Sequence, residues 1–299
     1  MSDDALIAAL RANDAPFVVD GDPLPTPLGR SYPATSTDSS DGRRIVVTHL
    51  APALARAVGD TDALLHVLSR HAIGGGSADG TIYFVEARPE GEPITARLAR
   101  EGPMRSEALR PIAVRAAEAL RTVQATHGPH GLVSPDSLLV AADGTVAFRW
   151  NGLFAALRAG GVPAEAIAAA FGEGLHFAPE LRRGEMPTNA SDVFALGTTL
   201  YEALTGRPPF GGRTTATVMA TVLTDGSSSG HKPPALTRAI LRAIEQQPGD
   251  RWVDARQFAD ALEEEHTTAP RPRPRRRRIL PVAAAAVGIG ALLLWWLID

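Results

Sequence analysis

No cysteine occurs in the 299 residues, which excludes a disulfide framework, a thiolate nucleophile and a cysteine-based zinc site. Lysine is almost as scarce, because Lys232 is the sole one. An ammonium on a phosphate group is therefore excluded in every other part of the chain, whatever the register. From Asn151 to Phe177 there is no serine, threonine or tyrosine, so this stretch offers no hydroxyl to phosphorylate. The N-terminal run MSDDALIAALRAND is acidic and lacks the long apolar core of a signal peptide. Basic charge is short outside one cluster: setting aside the six arginines of 271–278 and Asp299 takes the balance from −3 to −8. A folded part this acidic argues against general nucleic-acid binding, which needs a basic face.

Hydrophobic residues make up 44% of the chain, enough to bury the core of one large domain or two small lobes. Residues 279–298 read ILPVAAAAVGIGALLLWWLI without a charge. At about 1.5 Å per residue such a run spans roughly the 30 Å of a bilayer core. The arginine cluster just before it predicts a membrane span with the preceding residues held on the cytoplasmic side. Residues 266–278 (HTTAPRPRPRRRR) read as a Pro-rich, semi-extended juxtamembrane linker.

Along the rest of the chain the punctuation changes once. Phe17 to Arg88 carries short β-like runs, FVVDG, RRIVVTHL and GTIYFVEA, between Gly, Pro, Ser and Asp clusters. From Ser106 the pattern turns helical: Leu109, Ile112, Ala116, Leu120 and Val123 share one face. A second helix is predicted over Ser191 to Leu204, with Gly206 past its end. Further helices are predicted at Leu6–Leu10, Thr215–Leu223, Leu236–Gln246 and Asp254–Glu265. The fold class is α+β, a small sheet-rich lobe at 26–90 followed by a larger helical lobe at 91–265, with 1–25 as an N-terminal segment.

Four motifs in order carry a resemblance: HGLVSPDSLLV (His130 to Val140), DGTVAFRWNG, HFAPELRRGEMPTNASDVFALGTTLYEALTGRPPF and QQPGDRW. Together they resemble the bacterial serine/threonine protein kinases, with the catalytic loop, the Asp-Phe-Gly region, the end of the activation segment and the closing arginine turn in sequence. The likeness covers residues 100 to 265 well and 26 to 100 poorly. It implies a bilobal kinase-like fold in which Glu180 pairs with Arg251 and Asp192 fixes the catalytic-loop backbone, with His130 a packed scaffold residue rather than a base.

Phosphoryl transfer depends on positioning and charge neutralisation, so the side chains it needs can be checked one by one. The resemblance puts Leu132 where the family has its proton-accepting aspartate, Ser134 at the loop lysine and Ser137 at the magnesium-binding asparagine. Trp150 replaces the aspartate of Asp-Phe-Gly, followed by Asn151 and Gly152. Thr48 stands in the strand lysine's place, with Arg44 the nearest substitute. In LGRSYPATS, Gly29 takes the first loop glycine's place, while Ser31, Pro33 and Ala34 oppose close phosphate approach. No glutamate is available in LAPALARAV to pair with a strand lysine. Glu173 falls where the family usually has a threonine, and Pro163 to Ala170 is predicted as a small helix at the cleft mouth.

The expectation is a catalytically inactive kinase-like module on the cytoplasmic face of a membrane. ATP and magnesium are not expected to bind in the standard way, no metal site is expected, and the partner implied is a cytoplasmic signalling protein such as an active kinase. The competing reading is an atypical transferase using Asn151, Asp136 or Asp143 with a metal. Asp143, in an Asp-Gly turn, reads first as a turn residue.

Overall fold

The computed structural model describes residues 17–37, 42–71, 74–78, 81–172, 176–210 and 235–267. The chain divides into Met1–Glu265 and His266–Asp299. The predicted span at 279–298, most of the arginine linker and the helices predicted at Leu6–Leu10 and Thr215–Leu223 lie outside the described residues. Among the described residues no helix is long and apolar enough to cross a membrane.

The first lobe is a six-stranded antiparallel sheet. Strands β1 (Phe17–Val19), β2 (Leu24–Thr26), β3 (Gly29–Ser36), β4 (Arg44–Leu50), β5 (Gly74–Ala78) and β6 (Thr81–Ala87) take the order β1-β3-β4-β6-β5, with β2 also on β3. The sheet thus begins upstream of residue 26. Its β-branched run Ile45-Val46-Val47-Thr48 suits a pleated strand buried on both faces. Ile45 and Val47 join Phe17, Tyr32 and Ala34 in a small cluster on one face, while Leu50, Ile82 and Phe84 belong to the main core. Two helices follow β4: α1 (Pro52–Ala57), within LAPALARAV, and the longer α2 (Thr61–Arg70). Asp60 caps α2 by accepting the Ala63 N–H at 2.9 Å, and Leu64 and Leu68, four apart, form its buried stripe.

The second lobe is helical around a three-stranded sheet of β7 (Glu92–Pro93), β8 (Leu138–Val140) and β9 (Val146–Phe148). Its helices are α3 (Ile94–Glu101), α4 (Ser106–His127), α5 (Leu153–Ala159), α6 (Ala164–Ala170), α7 (Pro179–Arg182), α8 (Asn189–Thr205), α9 (Ala235–Ala243) and α10 (Ala255–Thr267). Helix α8 is buried nearly all round, as a central helix must be. A capping box between Thr188 and Ser191 starts it and left-handed Gly206 ends it. Gly197 brings α8 against α9, since a β-carbon there would lie 2.7 Å from Ala243 Cβ.

Candidate functional site

The loop after α4 is held from below. Asp192, one turn into α8, is 1% exposed and accepts the backbone N–H groups of His130 and Gly131, each at 2.8 Å, and the Gln124 amide at 3.1 Å. Burial pushes its carboxyl up to about 6 while these three donors pull it back, so it is ionised at neutral pH. His130 is buried too. Its Nδ1 accepts the Leu132 N–H at 3.0 Å, which leaves the proton on Nε2 to donate to the Arg149 carbonyl at 2.8 Å. Burial lowers its pKa to about 4, and the ring is a neutral bracket between loop and β9.

The three loop positions that matter for transfer are closed. Leu132 is fully buried in the core. Ser134 and Ser137 bond to each other's backbone: Ser134 N–H donates to Ser137 Oγ at 2.9 Å and Ser137 N–H to Ser134 Oγ at 3.3 Å. Asp136 accepts the Thr95 hydroxyl at 3.0 Å on the surface, and Asp143 accepts both the amide and the hydroxyl of Thr145 in its turn. Asn151 donates to the Phe148 carbonyl. Among the described residues no three histidine, aspartate or glutamate side chains gather into a metal-holding group.

Between the lobes the cleft is filled by the chain itself. Arg149, immediately before Trp150, sends its guanidinium inward: Nε lies 3.2 Å from Glu86 Oε1 on β6 and Nη2 donates to Ser31 Oγ on β3 at 3.2 Å. Ser31 in turn shares a 2.9 Å hydrogen bond with Thr48 on β4. The other Glu86 oxygen accepts the Trp150 N–H at 3.0 Å. All five residues are buried. Burial pushes the Glu86 carboxyl up, and the Arg149 charge beside it pulls the other way. Trp150 is fully buried, adopts φ 65 in the left-handed region and lies under the Arg149 guanidinium, 5.0 Å from its ring centre. That conformation costs about 1–2 kcal/mol, and its indole N–H finds no hydrogen-bond partner among the described residues.

What is left beside Arg149 is a cavity of about 90 Å³ bounded by Leu24, Val46, Pro89 and Leu139. Small-molecule pockets usually span roughly 300 Å³ or more, so the space beside Arg149 is small by that measure. Along its edge the Arg88 amide is used by the Arg44 carbonyl at 3.1 Å, and Pro89 has no amide N–H. Arg44 itself pairs with Glu90 on the surface and does not replace a strand lysine.

Gly29 opens β3 directly after a two-residue turn, opposite Thr26, with Leu28 fully buried in that turn. A β-carbon at Gly29 would fall 1.9 Å from the His49 carbonyl oxygen, so the glycine serves sheet packing. Gly152 caps the start of α5 in the left-handed region. Helices α5 and α6 then occupy the activation segment. Leu153, Phe154, Ala156 and Leu157 are buried, and the Gly160 carbonyl accepts the N–H groups of Gly59 and Asp60 at 2.8 and 3.1 Å, locking the segment to the start of α2. Helix α6 buries Ala164, Ile167 and Ala168. Glu173 lies outside the described residues.

The far anchor of the segment is Glu180 on α7. Arg251 grips it bidentately, Nη1 to Oε1 at 2.6 Å and Nη2 to Oε2 at 2.9 Å, and gives its remaining donors to the carbonyls of Glu245, Gln246 and Ala190. Both side chains are buried, and such a fork is satisfied only by a planar guanidinium.

A family profile described as protein tyrosine and serine/threonine kinase matches residues 58–258. The chain belongs to this kinase family. Among curated relatives, the serine/threonine-protein kinase PknD of Mycobacterium tuberculosis is 30% identical over 195 residues, 62% of this chain and 29% of that protein. PknA of the same organism is 27% identical over 244 residues, 76% of this chain and 56% of PknA, and PknB is 27% identical over 193 residues, 63% of this chain and 31% of PknB. The alignments thus cover between under a third and just over half of those kinases.

Within this kinase fold, Asp192, His130, Glu180 and Arg251 come together as two scaffold networks, while Thr48, Ser31 and the residues beside Trp150 meet in the cleft. Sequence reasoning missed Glu86 and Arg149. The available signals were a lone carboxylate in the apolar strand TIYFVEA and a bulky cation at the end of VAFR, neither of which announces its partner 63 residues away.

Proposed function

We propose that this chain is a pseudokinase: a kinase-like domain without phosphoryl transfer, anchored by residues 279–298 with the domain cytoplasmic, acting as a binding or regulatory module. The observation that carries the reading is the Arg149–Glu86 pair seated between the lobes, together with Leu132 and Trp150 at the positions of the family's two aspartates. General-base loss alone forfeits about two to four orders of magnitude in rate. Here the metal-binding groups and the phosphate lysine are absent as well. The partner is a cytoplasmic signalling protein, with an active kinase as the first candidate. The twenty uncharged residues after six arginines support the anchor.

Thermal-shift titration with ATP and magnesium at millimolar concentration tests the cleft, and a radiolabelled ATP transfer assay with generic acceptors tests chemistry. The expected result is no shift and no incorporation. Incorporation that disappears in a cleft variant such as Arg149→Ala overturns the proposal, and binding without transfer retains the pseudokinase reading while giving the cleft a ligand. For the anchor, removing residues 279–298 is expected to move the protein from the membrane pellet to the supernatant.

A further inference from the structure

Two histidines that neither the kinase scaffold nor the cleft uses meet where helices α2 and α4 end. His71 follows the last turn of α2 and His127 is the last residue of α4. Their Nδ1 atoms are 3.1 Å apart, with ring centres separated by 5.1 Å. We propose that this pair is a transition-metal site in which both Nδ1 atoms bind one zinc, nickel or copper(II) ion, water completing the coordination.

The two nitrogens share a hydrogen bond without metal, and their spacing is close to what the ion requires. In a tetrahedral site with metal–nitrogen bonds of about 2.05 Å, two ligating nitrogens stand roughly 3.3 Å apart. Opening the present pair by a few tenths of an ångström therefore admits the ion. His127 is exposed, so water can reach the open positions. The His71 ring packs directly against Gly152, where a β-carbon would come within 2.2 Å of it, so that side of the ring is closed.

The electrostatics suit a cation that takes nitrogen ligands. Both imidazoles lie at helix C-termini, which carry partial negative charge. The neighbouring Arg70 works against the bound ion. Imidazole favours zinc, nickel and copper, whereas magnesium and calcium prefer oxygen. An ion here would tie the end of α2 in the first lobe to the end of α4 in the second, beside the glycine where the activation segment starts.

Zinc chloride is titrated calorimetrically into the untagged full chain, its His71→Gln and His127→Gln variants, and the surface control His66→Gln, with circular dichroism to establish folding. The proposal expects one equivalent of zinc that the wild type and His66→Gln bind and that each of the other variants loses or binds more than about tenfold more weakly. Copper(II) resonance spectra should show two nitrogens coupled to that ion in the wild type and at most one in either variant. Zinc binding unchanged in His127→Gln, or no binding up to about 1 mM in the wild type, overturns it. Because His127 is exposed, its variant decides the question even if His71→Gln fails to fold.

Discussion

Replacing Arg149 with methionine isolates the pair that fills the cleft. Methionine keeps an apolar stem against Trp150 but leaves the Glu86 carboxylate buried at 7% exposure with the Trp150 N–H as its remaining partner. Removing one member of a buried pair costs about 3–5 kcal/mol. Protonation limits that cost in acid. The Glu86 pKa is already raised by burial, and loss of the arginine, which pulls it down, raises it further. A carboxyl whose folded pKa lies above its unfolded value near 4.5 destabilises the fold as pH rises from the unfolded value to the folded one, by up to about 1.4 kcal/mol per pH unit.

Arg149→Met should therefore be several kcal/mol less stable than the wild type at pH 8 and should recover much of the difference toward pH 5. The double variant Arg149→Met/Glu86→Leu, which removes both charges, should regain most of the loss and make the remaining difference nearly independent of pH. Urea denaturation of the 1–265 unit at the two pH values reads these differences as shifts of midpoint at constant slope. A single variant within about 0.5 kcal/mol of wild type at pH 8, or a double variant no better than the single, refutes the argument.

Asp192→Asn turns an amide N–H toward the backbone donors of His130 and Gly131 and should cost about 2–3 kcal/mol at pH 7.5 by urea denaturation. It also exposes a pH effect. His130, lowered to about 4 from 6.5, loses stability as pH falls from 6.5 to 4, by up to about 3 kcal/mol, whereas Asp192, raised to about 6 from 3.8, gains it as pH falls from 6 to 3.8. The wild type largely cancels the two, so the asparagine variant should show the steeper acid loss in midpoint against pH. Arg251→Lys keeps the charge but cannot form the fork on Glu180, and a loss of about 2–4 kcal/mol is expected in the same assay. Gly29→Ala drives a β-carbon into the His49 carbonyl at φ 141 and should cost more than about 3 kcal/mol, read as a drop in midpoint or failure to fold. Leu132→Asp restores a carboxylate in name, yet at a fully buried position it should unfold the lobe rather than create transfer, seen as lost near-ultraviolet dichroism without incorporated label.

The helical lobe was legible because its stripes and caps are local: the Leu109 to Val123 face, Gly206 after α8 and the ordered motifs around Glu180, Asp192 and Arg251 all read along the chain. Observed boundaries moved by a few residues, as with α8 at Asn189–Thr205 and α9 ending at Ala243. The first lobe was harder. Helix α2 was not predicted, although Asp60 and the Leu64–Leu68 pair are local signals for it, and its importance lies in contact with Gly160 and the activation segment, a hundred residues on. Gly29 illustrates the opposite problem, since a glycine suits both a phosphate loop and a crowded hairpin, and only the strand register distinguishes them. Missing side chains could be counted from the sequence, but what fills their space could not, because Arg149, Glu86 and Ser31 come from three distant strands or strand ends.

A cleft that loses its lysine and aspartates also loses the charges that balanced one another there, and a buried void or lone charge is costly in either case. Arg149 and Glu86 replace a cation and an anion with a pair that satisfies itself, Thr48 and Ser31 close on each other, and Leu132 and Trp150 add apolar volume. The scaffold bonds from Asp192 run to the His130 and Gly131 amides and the Gln124 side chain, those from Arg251 run to Glu180 and to backbone carbonyls, and where the His130 ring reaches the substituted positions it meets backbone, the Leu132 N–H and the Arg149 carbonyl. On the proposed pseudokinase reading, catalytic groups and fold-holding groups are physically separable in this domain: one set is exchanged for internal packing while the other keeps the loop and the activation segment in place.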